Sequence, residues 1–271
     1  MATSARELVG WNEQRWAAVQ EAVNRALART AKCRQVIPKG PELIGAKTVP
    51  VTMVTGALLE LRDDVTAPVA LSVPFQFDDP HGDDEAAIIR LVESAAAELG
   101  KQEDDRILNG AKGKPRNAKM VPWALSTAKV TTTPTELGGN DATAILTAIT
   151  VALAEIEKDR PGPCGLILAN ELLAVLRQPV RAGEAPPLNQ VEQLIGTSEI
   201  VGTSALDKVG KGAVCGVLFR LEPGAMDLVQ TQLPTVTVLE RTGGKTKLSV
   251  EEEIAFRVLD DKAIVQIKRK P

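Results

Sequence analysis

Apolar residues recur every three or four positions along Gly82–Gly110, with Ile88, Leu91, Val92, Ala95, Ala96 and Leu99 on one side and Glu93, Glu98 and Lys101 on the other. This spacing predicts one long amphipathic helix, spanning roughly 40 Å at 1.5 Å per residue. Asp83 and Asp84 stand where a first turn leaves backbone N–H groups unpaired, and Asn109-Gly110 is a helix stop. A second stripe, Leu8, Trp16, Val19, Val23 and Leu27, predicts a helix over residues 5–32 whose main part Asn12 caps. A third, Ile145, Ala148, Ile149 and Leu153, predicts a helix over Asp141–Asp159, stopped by Pro161-Gly162-Pro163.

Elsewhere the period shortens. Val51–Leu61 and Val69–Phe77 read as two strands around the turn material RDDVTAP, an extended arm that is marginal by itself. Pro38, Pro41 and Pro50 with Gly40 and Gly45 predict an extended connector over Cys33–Pro50. Ala111–Pro134 is loop-rich and basic at Lys112, Lys114, Arg116 and Lys119. The wholly apolar Cys164–Leu168 suits a buried strand. Asn170–Leu176 and Asn189–Leu194 read as short helices around a turn-rich loop, Arg177–Pro187, and Glu199–Thr203 and Ala213–Leu221 read as strands. Thr235–Glu240 and Lys247–Val258 flank Thr242-Gly243-Gly244, a hairpin turn by composition, and Ala263–Ile267 is the last strand. Helices and strands mix without strict alternation, which predicts an α+β fold and fits neither a Rossmann fold nor a barrel.

Composition narrows the class. At 271 residues and 44% hydrophobic, the chain can bury a core, as one large domain or two. A net charge of −3 argues against a dedicated nucleic-acid binder, although residues 1–40 hold seven Lys/Arg against three Asp/Glu. No apolar run nears the ~20 residues of a membrane span, and the charged N-terminus is unlike a signal peptide, so a cytoplasmic protein is expected. Cys33, Cys164 and Cys215 lack ligand spacing and are expected as three buried thiols.

Candidate chemistry is sparse. The single histidine, His81, lies in an acidic loop and is expected to be solvated; one histidine rules out multi-histidine metal sites within a chain. Gly243-Gly244-Lys245-Thr246 ends like a phosphate-binding loop, but Leu239 stands where that pattern needs glycine. Glu251, Glu252 and Glu253 could bind a divalent cation, yet successive strand residues face opposite ways, so a solvated or interface-facing strand is expected. No catalytic set and no cofactor are expected, and the weight falls on binding, structure or assembly.

The order of segments carries more than any one motif. RWAAVQEAVNRAL, KGPE, a hairpin arm, a helix ending EDDRILNG, GPCGLILANELLAVL, PPLNQVEQLIGTSEIVGTSAL, GAVCGVLFRLEPGAMDLVQ and LSVEEEIAFRVLDDKAIVQIK follow one another. In this the chain resembles the encapsulins, bacterial and archaeal shell proteins built on the tailed-phage capsid (Hong Kong 97-type) fold. The resemblance spans nearly the whole chain and is clearest from Gly162 onward. It implies an N-terminal lumenal helix and connector (1–40), an extended arm (41–78), a peripheral domain with the spine helix (79–134 and 231–271) and an axial domain (135–230). It implies a cytoplasmic icosahedral homo-oligomer that encloses a cargo enzyme, a dye-decolorising peroxidase or ferritin-like protein, through a short targeting peptide. By resemblance the cargo groove falls on Trp16, Leu27 and Val36 with Phe256 as a wall. A fivefold pore would be lined by Arg181, Gly183 and Glu184, in the loop between Leu176 and Leu188. Two other readings stay open: a phage or prophage major capsid protein enclosing DNA, and a soluble α+β enzyme or small-molecule binder near 28.8 kDa.

Overall fold

The computed structural model describes residues 9–55, 60–110, 125, 134–158, 162–207, 212–222 and 224–270. The expected basic residues Lys112–Lys119 lie outside them. In chain order the elements are α1 (Glu13–Thr30), α2 (Lys32–Val36), β1 (Lys39–Glu42), β2 (Val49–Thr55), β3 (Glu60–Thr66), β4 (Val69–Asp78) and α3 (Glu85–Asn109). There follow β5 (Thr135–Leu137), α4 (Ala142–Glu157), β6 (Cys164–Ala169), α5 (Asn170–Leu176), α6 (Pro187–Ile195), β7 (Ile200–Thr203) and β8 (Val214–Arg220). The chain ends in β9 (Met226–Thr242), β10 (Lys245–Val258) and β11 (Ile264–Arg269).

The three predicted amphipathic helices form, the first only from Glu13 onward, with Leu8 of its stripe outside the described residues; Asn12 caps it and Asp84 the spine helix as expected, and Asp141, expected as a helical residue, caps the third. The side chains of Asn12, Asp84 and Asp141 accept the N–H groups of Arg15, Ala87 and Ala144 at 2.9, 3.0 and 2.9 Å. Gly110 ends α3 at φ +74°, a backbone state that glycine enters without steric cost. The 25-residue α3 packs against α1, β4 and β10 and buries Ile88, Val92, Ala96, Leu99, Ile107 and Leu108. The end of α1 comes close to α3 at Gly100: a Cβ there would stand 2.6 Å from Thr30 Oγ1 and 2.8 Å from the Ala31 nitrogen.

Two sheets divide the strands. One runs β1-β9-β10-β4, and the other β5-β11-β8-β6-β7. β9 and β10 form one long hairpin whose turn, Gly243-Gly244, has φ of +60° and +76°, the left-handed pair that a twisted two-residue turn demands. Cys164–Ala169 is buried throughout, as its apolar run predicts, and Cys33, Cys164 and Cys215 are free and buried.

Four expectations need correction. Cys33–Val36 is helical, because the prolines of the connector begin only at Pro38 and because Asp104 accepts the Cys33 N–H at 2.9 Å, an anion at the start of α2. The arm is β2–β3, in register from Val49 opposite Thr66 to Thr55 opposite Glu60, so the polar RDDVT is strand and not turn. Main-chain pairing does not require apolar side chains, and composition alone hid it. Val69–Phe77 belongs to the body instead: β4 pairs along β10 from Asp78 opposite Lys245 to Val69 opposite Ile254, with Leu71, Phe75 and Phe77 buried on alternate positions. Finally β11, expected beside the spine helix, is hydrogen-bonded between β5 and β8. Its successive buried residues Ile264, Val265, Gln266 and Ile267 suit a strand covered on both faces.

The arm is tied to the body at its root. Val49 is buried with Val229 and Ala255. Arg257 donates to the Pro50 carbonyl at 2.8 Å, while two further N–H groups grip the Asp227 carboxylate at 2.7 and 2.5 Å. Gly40, on β1 beside this root, has no room for a side chain: a Cβ would lie 2.9 Å from the Asp227 carboxylate and from Val229.

Candidate functional site

A groove of about 570 Å³ runs between α1 and β9. Gln20, Asn24, Leu27 and Ala28 of α1 form one bank, Gln230, Leu233, Pro234 and Thr235 of β9 the other, and Arg34 of α2 one end. The sequence makes the β9 bank by a bulge. Glu251 opposes Thr235 and Glu253 opposes Gln232, so Leu233 and Pro234 together face Glu252. Proline cannot donate to a ladder, which is why the extra residue sits there. The Gln20 amide donates to the Pro234 carbonyl at 2.7 Å, and Leu233 is left 49% exposed on the groove rim.

Of the four residues expected at a cargo groove, the structure brings one to it. Leu27 lines the groove, although only 2% of it is exposed. Trp16 is buried against Trp11, ring centroids 4.9 Å apart, and Trp11 in turn stacks on Phe77. Val36 and Phe256 are core residues, Phe256 lying opposite Leu228 in the β9–β10 ladder. The expected pore residues do stand together, on the loop between α5 and α6. Arg181 and Glu184 form an exposed ion pair at 3.9 Å, the Glu184 N–H donates to the Arg181 carbonyl, and Gly183 turns between them at φ +88°.

Behind the groove lies a charged cluster that the sequence reading missed. Arg34 Nε and Nη2 donate to the two oxygens of Glu103 at 3.1 and 2.5 Å, and Nη2 also donates to Glu252 Oε2 at 2.5 Å. Both carboxylates are fully buried, and Arg34 keeps a quarter of its side chain exposed at the groove. Burial above all, then the neighbouring Glu252 charge, pushes the Glu103 carboxyl up to about 8 against the pull of Arg34. Asp104 is raised too, chiefly by burial, while the Cys33 N–H and the Thr203 hydroxyl, at 2.9 and 2.8 Å, hold it down. Asp104 thereby joins α2, α3 and β7.

Glu252 also corrects an expectation. Alternation along the strand does separate the three glutamates, but Glu252 falls in phase with Leu248, Val250 and Ile254 and points into the core instead of toward solvent. Among the described residues no group of His, Cys, Asp and Glu could hold a metal ion. No described helix is long and apolar enough to cross a membrane.

Comparison with known families decides what this fold belongs to. The sequence model of a family described as "Encapsulating protein for peroxidase" (Linocin_M18) matches residues 1–255. The chain belongs to that family. This encapsulin is a self-assembling shell protein, a structural component and not an enzyme. Solved structures share the capsid fold. A virus-like particle from Pyrococcus furiosus superposes at a TM-score of 0.74 with 17% identity, covering 93% of this encapsulin and 98% of that chain. The capsid of an empty GTA particle gives 0.63 and 14%, covering 89% and 90%. A holo-encapsulin complex from Synechococcus elongatus gives 0.58 and 9%, covering 88% and 86%. At such identities the likeness speaks for the fold alone. A search of curated proteins gave no significant match.

Proposed function

We propose that this shell encloses a peroxidase-type enzyme in the cytoplasm and holds it by a short apolar peptide at the end of the cargo, laid in the groove between α1 and β9. The observation that carries this reading is Leu233, set half-exposed on the groove rim by the bulge and facing a bank that includes Leu27 and exposed Ala28. Isolated apolar surface of this kind gains by being covered, and a groove presents it on two sides at once. The family description, which names a peroxidase as the enclosed protein, supports the cargo class. In this reading Trp16, Val36 and Phe256 act from behind, fixing α1, α2 and β10 as the groove's supports. The four-stranded sheet with α1 and α3 is the peripheral body, the five-stranded sheet with α4 to α6 the axial one, and β2–β3 an arm that covers a neighbouring subunit.

Leu233→Asp tests the groove. A carboxylate at a half-exposed rim position costs folding little, whereas burying it under a bound apolar peptide costs more than the 1.4 kcal/mol that makes a tenfold change in affinity. Shells should form at the usual yield and carry at least tenfold less co-purified cargo, read by densitometry and peroxidase activity; unchanged loading rejects the groove. Leu27→Asp is a poorer probe, because at 2% exposure the new charge would disturb the seat of α1 itself.

The same proposal sets the α5–α6 loop around a fivefold pore lined by Arg181, Gly183 and Glu184. Charges repeated around an axis focus potential, so Arg181→Glu should speed entry of cationic substrates and slow anionic ones by several-fold at low salt, with the difference fading at high salt. Turnover of enclosed peroxidase with oppositely charged dyes measures it, and a density map with this loop away from the fivefold axis would overturn the assignment.

A further inference from the structure

Two buried carboxylates and one guanidinium meet where α2, α3 and β10 converge. With both carboxylates ionised, the cluster holds excess negative charge out of reach of water; with one proton it is neutral. Glu252 Oε1 is buried with no hydrogen-bond partner among the described residues, so the charge set beside Glu103 is poorly compensated. Arg34, which bridges the two acids, also forms the end of the groove.

We propose that Arg34, Glu103 and Glu252 form a proton-dependent latch, closed while Glu103 holds a proton beside Glu252, that sets how firmly α2 is held against the spine helix as part of the groove. Its link to cargo rests on the groove reading above; the latch itself does not. Facing Glu103 are Arg34 and Cys33 from α2, Asp104 from its own helix and Glu252 from β10. The charges that α1 presents to α3, Arg25 and Arg29, engage Glu93 nearly three turns away. Glu103 has a raised value in the closed latch and an ordinary carboxylate value once α2 lifts and water enters. The closed state therefore binds more protons between about pH 4.3 and about 8, and it weakens as pH rises through that window. Above it the closed and open states lose the proton alike and the dependence levels off.

Hydrogen exchange on assembled full-length shells tests this between pH 5 and 9. Protection factors, which divide out the intrinsic base-catalysed rate, should fall for the amides of α2 by up to about tenfold per pH unit as far as about pH 8, then stay level. The amides of α4, far from the cluster in the other sheet's layer, should show no such slope. Glu103→Gln, which has no proton to lose, should give a flat profile for α2. Glu252→Gln removes the like charge and should make the level part begin at lower pH, so it decides the matter if Glu103→Gln does not assemble. A flat wild-type profile overturns the latch, as does a Glu103→Gln shell that keeps the wild-type slope. If α2 shows the expected profile while Leu233→Asp shells load cargo normally, the groove reading fails and the latch stands.

Discussion

Arg34→Ala should destabilise the folded subunit by about 3–5 kcal/mol near pH 8, the penalty for stripping a buried ion pair of its cation. The replacement leaves Glu103 and Glu252 facing each other in a dry site, with no other positive group hydrogen-bonded to either among the described residues. The cheapest response is to hold protons. Without the pull of Arg34, Glu103 keeps its proton in the folded state to still higher pH, so the variant goes on losing stability above about pH 8 where the wild type levels off, and the deficit widens there. Guanidinium unfolding of wild-type and variant shells at pH 5.5 and pH 9.5 should show a wider gap in midpoint at the higher pH than at the lower. An equal gap at both would mean that Arg34 acts by packing alone.

Gly100→Val is expected to cost about 3 kcal/mol, at the upper end for overpacking a close contact. Two effects compete at this position. Every side chain but proline's favours the helix over glycine, by up to ~1 kcal/mol for alanine. Against that, a Cβ would stand 2.6 Å from Thr30 Oγ1 and 2.8 Å from the Ala31 nitrogen, and the second is backbone that cannot rotate away. The clash falls at the junction of α1 with α2, so relief comes only by lifting the end of α1 off the spine helix. Thermal unfolding should register it, and Gly100→Ala should remain below wild type despite its better propensity.

Why some of this was legible and some not follows from particular residues. The spine helix, its caps and the glycine hairpin turn could be read because apolar period, capping residue and turn composition agree at each. The arm was misplaced because RDDVT looks like a turn and pairs as a strand, a pairing fixed by main-chain partners that local composition does not report. The charged cluster does leave a signal in the sequence. Glu103 and Asp104 continue the stripe of Leu99 and Gly100 toward Ile107 and Leu108, and Glu252 falls on the inward phase of β10. Acids in phase with the core announce a buried partner; which cation answers them is a matter of tertiary contact, and Arg34 lies 69 and 218 residues away in sequence. Trp16, Val36 and Phe256, groove residues by resemblance, are buried in the body, because an apolar position that packs on its own core looks the same in sequence as one that waits for a ligand.

The root of the arm has a consequence for how subunits meet. The hairpin is held where Arg257 reaches the Pro50 carbonyl and Val49 enters its small apolar nest, and among the described residues its ladder runs only between its own two strands. The arm's pairing is therefore complete in itself and takes no ladder bond from the long hairpin beneath it. In a self-assembling shell the projection thus arrives with its own hydrogen bonds satisfied, and what remains on offer to another copy is side chains and an edge rather than a ladder awaiting completion.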